Sequence, residues 1–188
     1  PLDRKVVLFV GRFSNQKGLN EIFNAIPIVE NTCPETIFVF VGGSPESLSD
    51  LRYKLKDNIL VIDKLTKPEL AKYYNAADIF ILPSYSEGCP VSLLEALSCN
   101  LFSISTNVGG IPNIQNKITE LEIIRPRDSF ALSNKIKQYF SNPKICNTRS
   151  KVIENYSWSS IIENTLNKYK VLQSTYYKIP DPSNIYTS

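Results

Sequence analysis

The sequence predicts a doubly wound α/β fold, with a mostly parallel six-stranded sheet and helices on both faces; three observations lead there. Short runs of β-branched and aromatic residues alternate with longer segments whose apolar residues recur at helical spacing. The strand-like runs end in loops of glycine, proline and polar residues, so the order reads strand, loop, helix. No internal repeat, low-complexity tract or charge run interrupts that alternation, and 188 residues suit one domain able to bury a real core.

In chain order, KVVLFV over Lys5–Val10 is the first strand and GRFSNQKG over Gly11–Gly18 the polar loop after it. The next helix, about Leu19–Asn31, sets Leu19, Ile22, Phe23, Ile26 and Val29 on one face. A second strand at Thr36–Val41 leads through Gly42-Gly43 into a helix over Pro45–Lys56. The third strand is Ile59–Ile62, and the third helix, Lys67–Ala76, has Pro68 in its first turn. Ile79–Leu82 is a buried fourth strand ended by Pro83 and Ser84. Pro90 suits the first turn of the helix that follows, whose apolar face is Val91, Leu94, Ala96 and Leu97. Strand five is Leu101–Ser105, with a glycine-rich loop at Asn107–Asn113, and strand six is Leu121–Ile124. Helices near Ser129–Phe140, Lys144–Asn155 and Trp158–Val171 complete a domain of residues 1–173, with Trp158 expected as a packing anchor. From Ser174 periodicity fades and proline returns, so 174–188 read as an irregular extension.

Chemistry concentrates after the first and fourth strands. Glu87 lies in the loop before the fourth helix and Glu95 in its second turn, with seven residues between them. A loop that follows a strand and opens a helix lies at the carboxyl edge of the sheet, where open α/β proteins bind ligands. Helix starts carry unpaired N–H groups, so the backbone of Gly88, Cys89, Pro90, Val91 and Ser92 suits an anion. Gly88 also removes a side chain where a ligand would approach. Arg12 and Lys17, just after Gly11, add two cations that in isolation would read as solvated loop charges.

Several function classes are excluded. A net charge of +3 is too weak to argue for nucleic acid or an acidic membrane surface. Cys33, Cys89, Cys99 and Cys146 are scattered, with no histidine anywhere to complete a zinc site. They read as free thiols of a cytoplasmic protein, and Cys89 as a small filler. No apolar run reaches transmembrane length. Ser14, Ser84 and Ser86 have no histidine to activate them, and neither G-x-G-x-x-G, G-x-x-x-x-G-K-[ST] nor D-x-D occurs.

The phrase PSYSEGCPVSLLEALSCN resembles the E-x7-E segment of the retaining glycosyltransferases of family 4, which have the GT-B fold of two Rossmann-like domains. Arg12 and Lys17 resemble that family's R-x4-K pair, and Gly109-Gly110-Ile111-Pro112 its GG-x-P loop. The resemblance covers about Val6–Val171 and implies that this is the carboxyl-terminal, donor-binding half. It assigns Glu87 to hydroxyls of the transferred sugar, Glu95 to the ribose diol, and Arg12 and Lys17 to the diphosphate. Glu87, Arg12 and Lys17 are then the catalytic set, with Gly11, Gly88, Cys89, Pro90, Val91 and Ser92 also lining the donor. Two cations at a diphosphate would favour departure of the nucleotide, each charge-assisted hydrogen bond contributing roughly 1.5–3 kcal/mol.

Asn113 stands where the family usually has a glutamate, and Thr119–Pro126 lacks a glycine common before the sixth strand. The loop Val61–Thr66 lies where relatives hold the base, with Asp63 and Lys64 at a position often filled by glycine. The implied donor is a nucleotide-diphosphate sugar, with no cofactor and no metal. The implied partner is an amino-terminal acceptor domain, through which any contact with the cytosolic face of a membrane would be made. A chain beginning at Pro1, four residues before its first strand, reads as an excised half. The alternative is a non-catalytic nucleotide-sugar-binding or interaction module that needs a partner chain.

Overall fold

The structure is a computed structural model, and it describes residues 4–43 and 57–176. Six parallel strands form one sheet: β1 (Val6–Val10), β2 (Ile37–Val41), β3 (Ile59–Ile62), β4 (Ile79–Leu82), β5 (Phe102–Thr106) and β6 (Glu122–Ile124). Their order is β3-β2-β1-β4-β5-β6, an α/β Rossmann-like arrangement. The direction of winding reverses between β1 and β4, which pair in parallel with Val7 opposite Ile79 and Leu8 opposite Phe80. The expected sheet is therefore the observed one. The helix expected over Pro45–Lys56 lies outside the described residues.

The first four strands are runs of β-branched and other apolar residues; β5 adds Ser103, Ser105 and Thr106, whose buried hydroxyls all bond main-chain carbonyls. Val7, Leu8, Phe9, Phe38, Phe40 and the whole of β4 are buried. Helix α1 (Leu19–Glu30) covers one face with Leu19, Ile22, Phe23, Ile26 and Val29, and Phe23 stacks on Phe40 with ring centroids 5.2 Å apart. Helix α2 (Lys67–Ala76) starts at a capping box, in which Thr66 N–H donates to Glu69 Oε2 at 2.9 Å. Helix α3 (Val91–Ser98) buries Leu93, Ala96 and Leu97; of the expected face Val91 is exposed, because it opens the helix at its solvent side, and Leu94 is only half-buried, Leu93 taking the inward position.

Three boundaries here differ from expectation by more than a one-residue shift of a strand end. Pro90 is the N-cap of α3 and not part of its first turn, its extended backbone (ψ 110°) ending the loop before the helix begins. The glycine-rich loop stops at Gly110, because Ile111–Gln115 form a short helix, α4, with Pro112 in its opening turn. Helix α5 (Ser129–Ser141) is as expected, with Asp128 accepting from Ala131 N–H at 2.8 Å. Helix α6 (Arg149–Tyr156) begins five residues later than Lys144. Its start is tied to the end of α3 and the turn after it: Thr148 Oγ1 donates to Leu97 O at 2.5 Å, and Asn100 Oδ1 accepts from Arg149 N–H at 2.8 Å.

The chain divides into two compact units, Pro1–Val152 and Ile153–Ser188. In the second, α7 (Trp158–Tyr176) is capped by Ser157, whose Oγ accepts from Ser160 N–H at 3.2 Å. This helix runs past Ser174, where periodicity was expected to end. Trp158 is not the expected packing anchor: it is 79% exposed. As the first residue of its helix, its side chain leans back beyond the first turn and has no preceding turn to cover.

Candidate functional site

Three loops interlock at the carboxyl edge, above the β1/β4 reversal. Tyr85 N–H donates to Gln16 O at 2.8 Å, joining the loop after β4 to the 3-10 turn Asn15–Lys17 after β1. Gly18 adopts φ +70°, and a Cβ there would lie 1.9 Å from the Pro83 carbonyl oxygen. From the other side Gly110 N–H donates to Gly88 O at 3.0 Å. Gly109 (φ +54°) has no room for a side chain, since a Cβ would stand 1.6 Å from Glu87 O. The GG-x-P loop is thus the wall against which the Glu87-Gly88 backbone rests. Below it, Thr106 Oγ1 donates to Ser84 O at 2.5 Å and Ser105 Oγ to Leu82 O at 2.8 Å, fixing the exit of β4 to β5.

On this base Glu87 is held by two donors. Lys17 Nζ and Ser84 Oγ both meet Glu87 Oε1, each at 2.6 Å. The Glu87 side chain is 8% exposed and that of Lys17 21%, so the pair is partly sheltered from screening. Glu87 Oε2 has no donor among the described residues. The ammonium has three N–H donors, and this pair uses one.

Glu95 is held elsewhere. Tyr74, buried on α2, donates its hydroxyl to Glu95 Oε2 at 3.0 Å. Burial, and then the charge of Glu95, raise the Tyr74 phenol far above its ordinary value, so it stays a donor. Arg12 is exposed, with no ion pair among the described residues. Gly11 N–H closes the end of β1 against Val41 O at 3.0 Å. Cys89 and Val91 are exposed, Gly88 has open space where its Cβ would be, and α3 has no side-chain cap. Gly88, Cys89 and Val91 thus stand open to solvent, while Pro90 between them is buried and Ser92 half-buried.

The structure therefore brings Lys17 and Glu87 together and leaves Arg12 and Glu95 outside that pair. Sequence reasoning missed two contributors. Ser84, which has no histidine to activate it as a nucleophile, is a hydrogen-bond donor to Glu87, and its place two residues past the end of a buried strand was the available signal. Tyr74 carried none, being one of two adjacent tyrosines on an amphipathic helix. A further cluster lies beside the loop: Tyr85 donates its hydroxyl to buried Glu21 on α1, and the Arg127 guanidinium sits 4.9 Å from the Tyr85 ring centroid. Burial, then the Glu21 hydrogen bond, push Tyr85 up to about 12.

A family model described as glycosyl transferases group 1 matches residues 1–157. A Bacillus subtilis glycosyltransferase, whose name places it in teichuronic acid biosynthesis, is 33% identical over 139 residues, 74% of this chain and 34% of that one. Sucrose-phosphate synthase from Thermosynechococcus elongatus superposes with a TM-score of 0.77 at 26% identity, covering 93% of this chain and 47% of that one. Anabaena HepE, solved in complex with UDP-glucose, gives a TM-score of 0.77 over 90% of this chain and 50% of that one; at 17% identity the likeness is one of fold. The chain spans 34–48% of the length of curated relatives such as these.

Proposed function

Because the chain belongs to the group 1 glycosyl transferases, we propose that it is the donor-binding half of a retaining enzyme of family 4. The enzyme transfers a sugar from a nucleotide-diphosphate sugar to an acceptor held by an amino-terminal half. The observation that carries this reading is the Lys17–Glu87–Ser84 arrangement at the β1/β4 reversal. It fixes one carboxylate oxygen of Glu87 and leaves the other to accept from a sugar hydroxyl.

On this reading Lys17 keeps Glu87 with one N–H and offers the others to the diphosphate, linking the sugar and phosphate subsites through one ammonium. Arg12, unpaired among the described residues, supplies the second cation, and the N–H groups at the start of α3 add a partial positive charge. Glu95 receives the ribose. The bond from the anomeric carbon to the β-phosphate oxygen breaks as the acceptor hydroxyl attacks from the same face, its proton passing to the leaving phosphate. Negative charge grows on the diphosphate at that moment, where the two cations stand, so they stabilise the transition state more than the bound donor. No resident metal is needed in this scheme.

Calorimetric titration with UDP, GDP and ADP tests it. One nucleotide should bind selectively, and Arg12→Ala or Lys17→Ala should each weaken it about tenfold or more, the effect of one lost charge-assisted hydrogen bond. A folded chain that binds none of the three, or binds without regard to either substitution, overturns the reading.

A further inference from the structure

Both carboxylates of the E-x7-E segment are fastened by one oxygen only. For Glu87 the fasteners are Lys17 and Ser84; for Glu95 the single described donor to the carboxylate is Tyr74. Ser98, nearly a turn further along α3, does not compete, because its Oγ donates to the main-chain carbonyl of Glu95 at 2.7 Å. Glu95 Oε1 has no donor among the described residues, and the carboxylate is not sealed in. Tyr74 and Glu95 share the lining of a cavity of about 120 Å3 between α2 and α3, with Lys67, Ala71 and Ser98 also on its wall. That space equals about four waters of liquid volume.

Tyr74 is well suited to hold a carboxylate still. It is 3% exposed, and its ring lies against Phe80 of β4 with centroids 5.9 Å apart at 60°. Packing alone would be served by phenylalanine at no polar cost, whereas a buried hydroxyl needs a partner. The partner here is Glu95, 21 residues away in sequence on the neighbouring helix. Helix α2 is itself fixed at its start by the Thr66–Glu69 capping box. A long, rotamer-rich glutamate is thereby tied to a rigid ring on a capped helix.

We propose that Tyr74 is a positioning residue for nucleotide binding: it pins Glu95 Oε2 so that Oε1 is presented, already ordered, to the ribose diol. This rests on the donor-site reading above and adds to it how the ribose carboxylate is preorganised. Freeing Glu95 would restore the ordering cost of one side chain on each binding event, roughly a two- to tenfold loss of affinity. The loss falls only on ligands that have the diol.

The experiment measures affinities of the full chain for UDP, GDP and ADP, and then for the best binder beside its 2′,3′-dideoxy counterpart. It is repeated in Tyr74→Phe, Glu95→Gln and the double variant, with thermal midpoints followed throughout. The expected result is that Tyr74→Phe keeps the midpoint and weakens the ribonucleotide two- to tenfold. The dideoxy form should be unaffected, and Tyr74→Phe should add nothing in the Glu95→Gln background. Equal weakening of both ligands would make Tyr74 a packing residue and overturn the proposal, as would an unchanged preference for the diol. Binding of none of the three nucleotides would overturn the donor-site reading and this inference together.

Discussion

The two ends of the β1/β4 seam are closed in different proportions of side chain and backbone. At the amino end side chains close it: Val6 N–H donates to Asp78 Oδ2 at 2.7 Å, while Asp78 N–H returns to Val6 O at 3.0 Å. Around this clasp lie the Lys5–Glu35 pair at 2.8 Å, the Lys5 ammonium 5.0 Å from the Phe140 ring centroid, and Tyr139 stacked on Phe102 at 4.2 Å. At the carboxyl end main chain meets main chain through Gly18, Gly109 and Gly110, and the side chains it carries, Lys17 and Glu87, each keep an unused polar valence. The amino end uses its side chains to hold the fold together; the carboxyl end is closed by backbone contacts with help from Ser105 and Thr106, and leaves Lys17 and Glu87 with polar valences to spare.

That contrast is broken most severely at Gly109. Gly109→Ala places a methyl 1.6 Å from Glu87 O on a backbone at φ +54°, so it should cost about 3 kcal/mol or more and abolish nucleotide binding. Thermal unfolding and calorimetry check this, and an unshifted midpoint would refute the interlock. Tyr139→Ala at the amino end should cost about 1–3 kcal/mol through the lost stack on Phe102, and leave nucleotide affinity unchanged. A change in affinity there would mean the two ends are not independent. The smallest effect is in pH. Glu120 lies below the usual carboxylate range because Lys151 hydrogen-bonds it, and Glu35 likewise because of Lys5. A carboxylate lowered in the folded state contributes stability above its unfolded value and loses it as pH falls through the folded one. Glu120→Gln should flatten the acid limb of the stability profile, read by urea unfolding at stepped pH; an unchanged slope would rule the pair out as its cause.

What the sequence made legible follows the same division. The strands, to within a residue, and most helix positions were readable because they depend on local pattern: β4 and α2 fall at the expected residues, Ile79–Leu82 and Lys67–Ala76, although the buried face of α3 uses Leu93 where Val91 was expected. Pro90, the opening of α4 and the late start of α6 were not, because each turns on a tertiary hydrogen bond or on one backbone dihedral. Lys17 and Glu87 were both singled out, but for different parts of a ligand. Their mutual contact spans 70 positions and has no signature in either segment. Tyr74 was invisible for the same reason, since nothing near it in sequence shows that a carboxylate lies on the next helix.

The span of that contact also bears on the order in which the molecule comes together. Strands β1 and β4 run parallel and meet only after the chain between them has crossed over through β2 and β3, a closure with a large entropic penalty and no local reward. The Gly109 wall waits in addition for β5. A nascent or half-folded chain has the cations and the acids but no place where they converge, so the Lys17–Glu87 site belongs to the finished unit and to none of its parts.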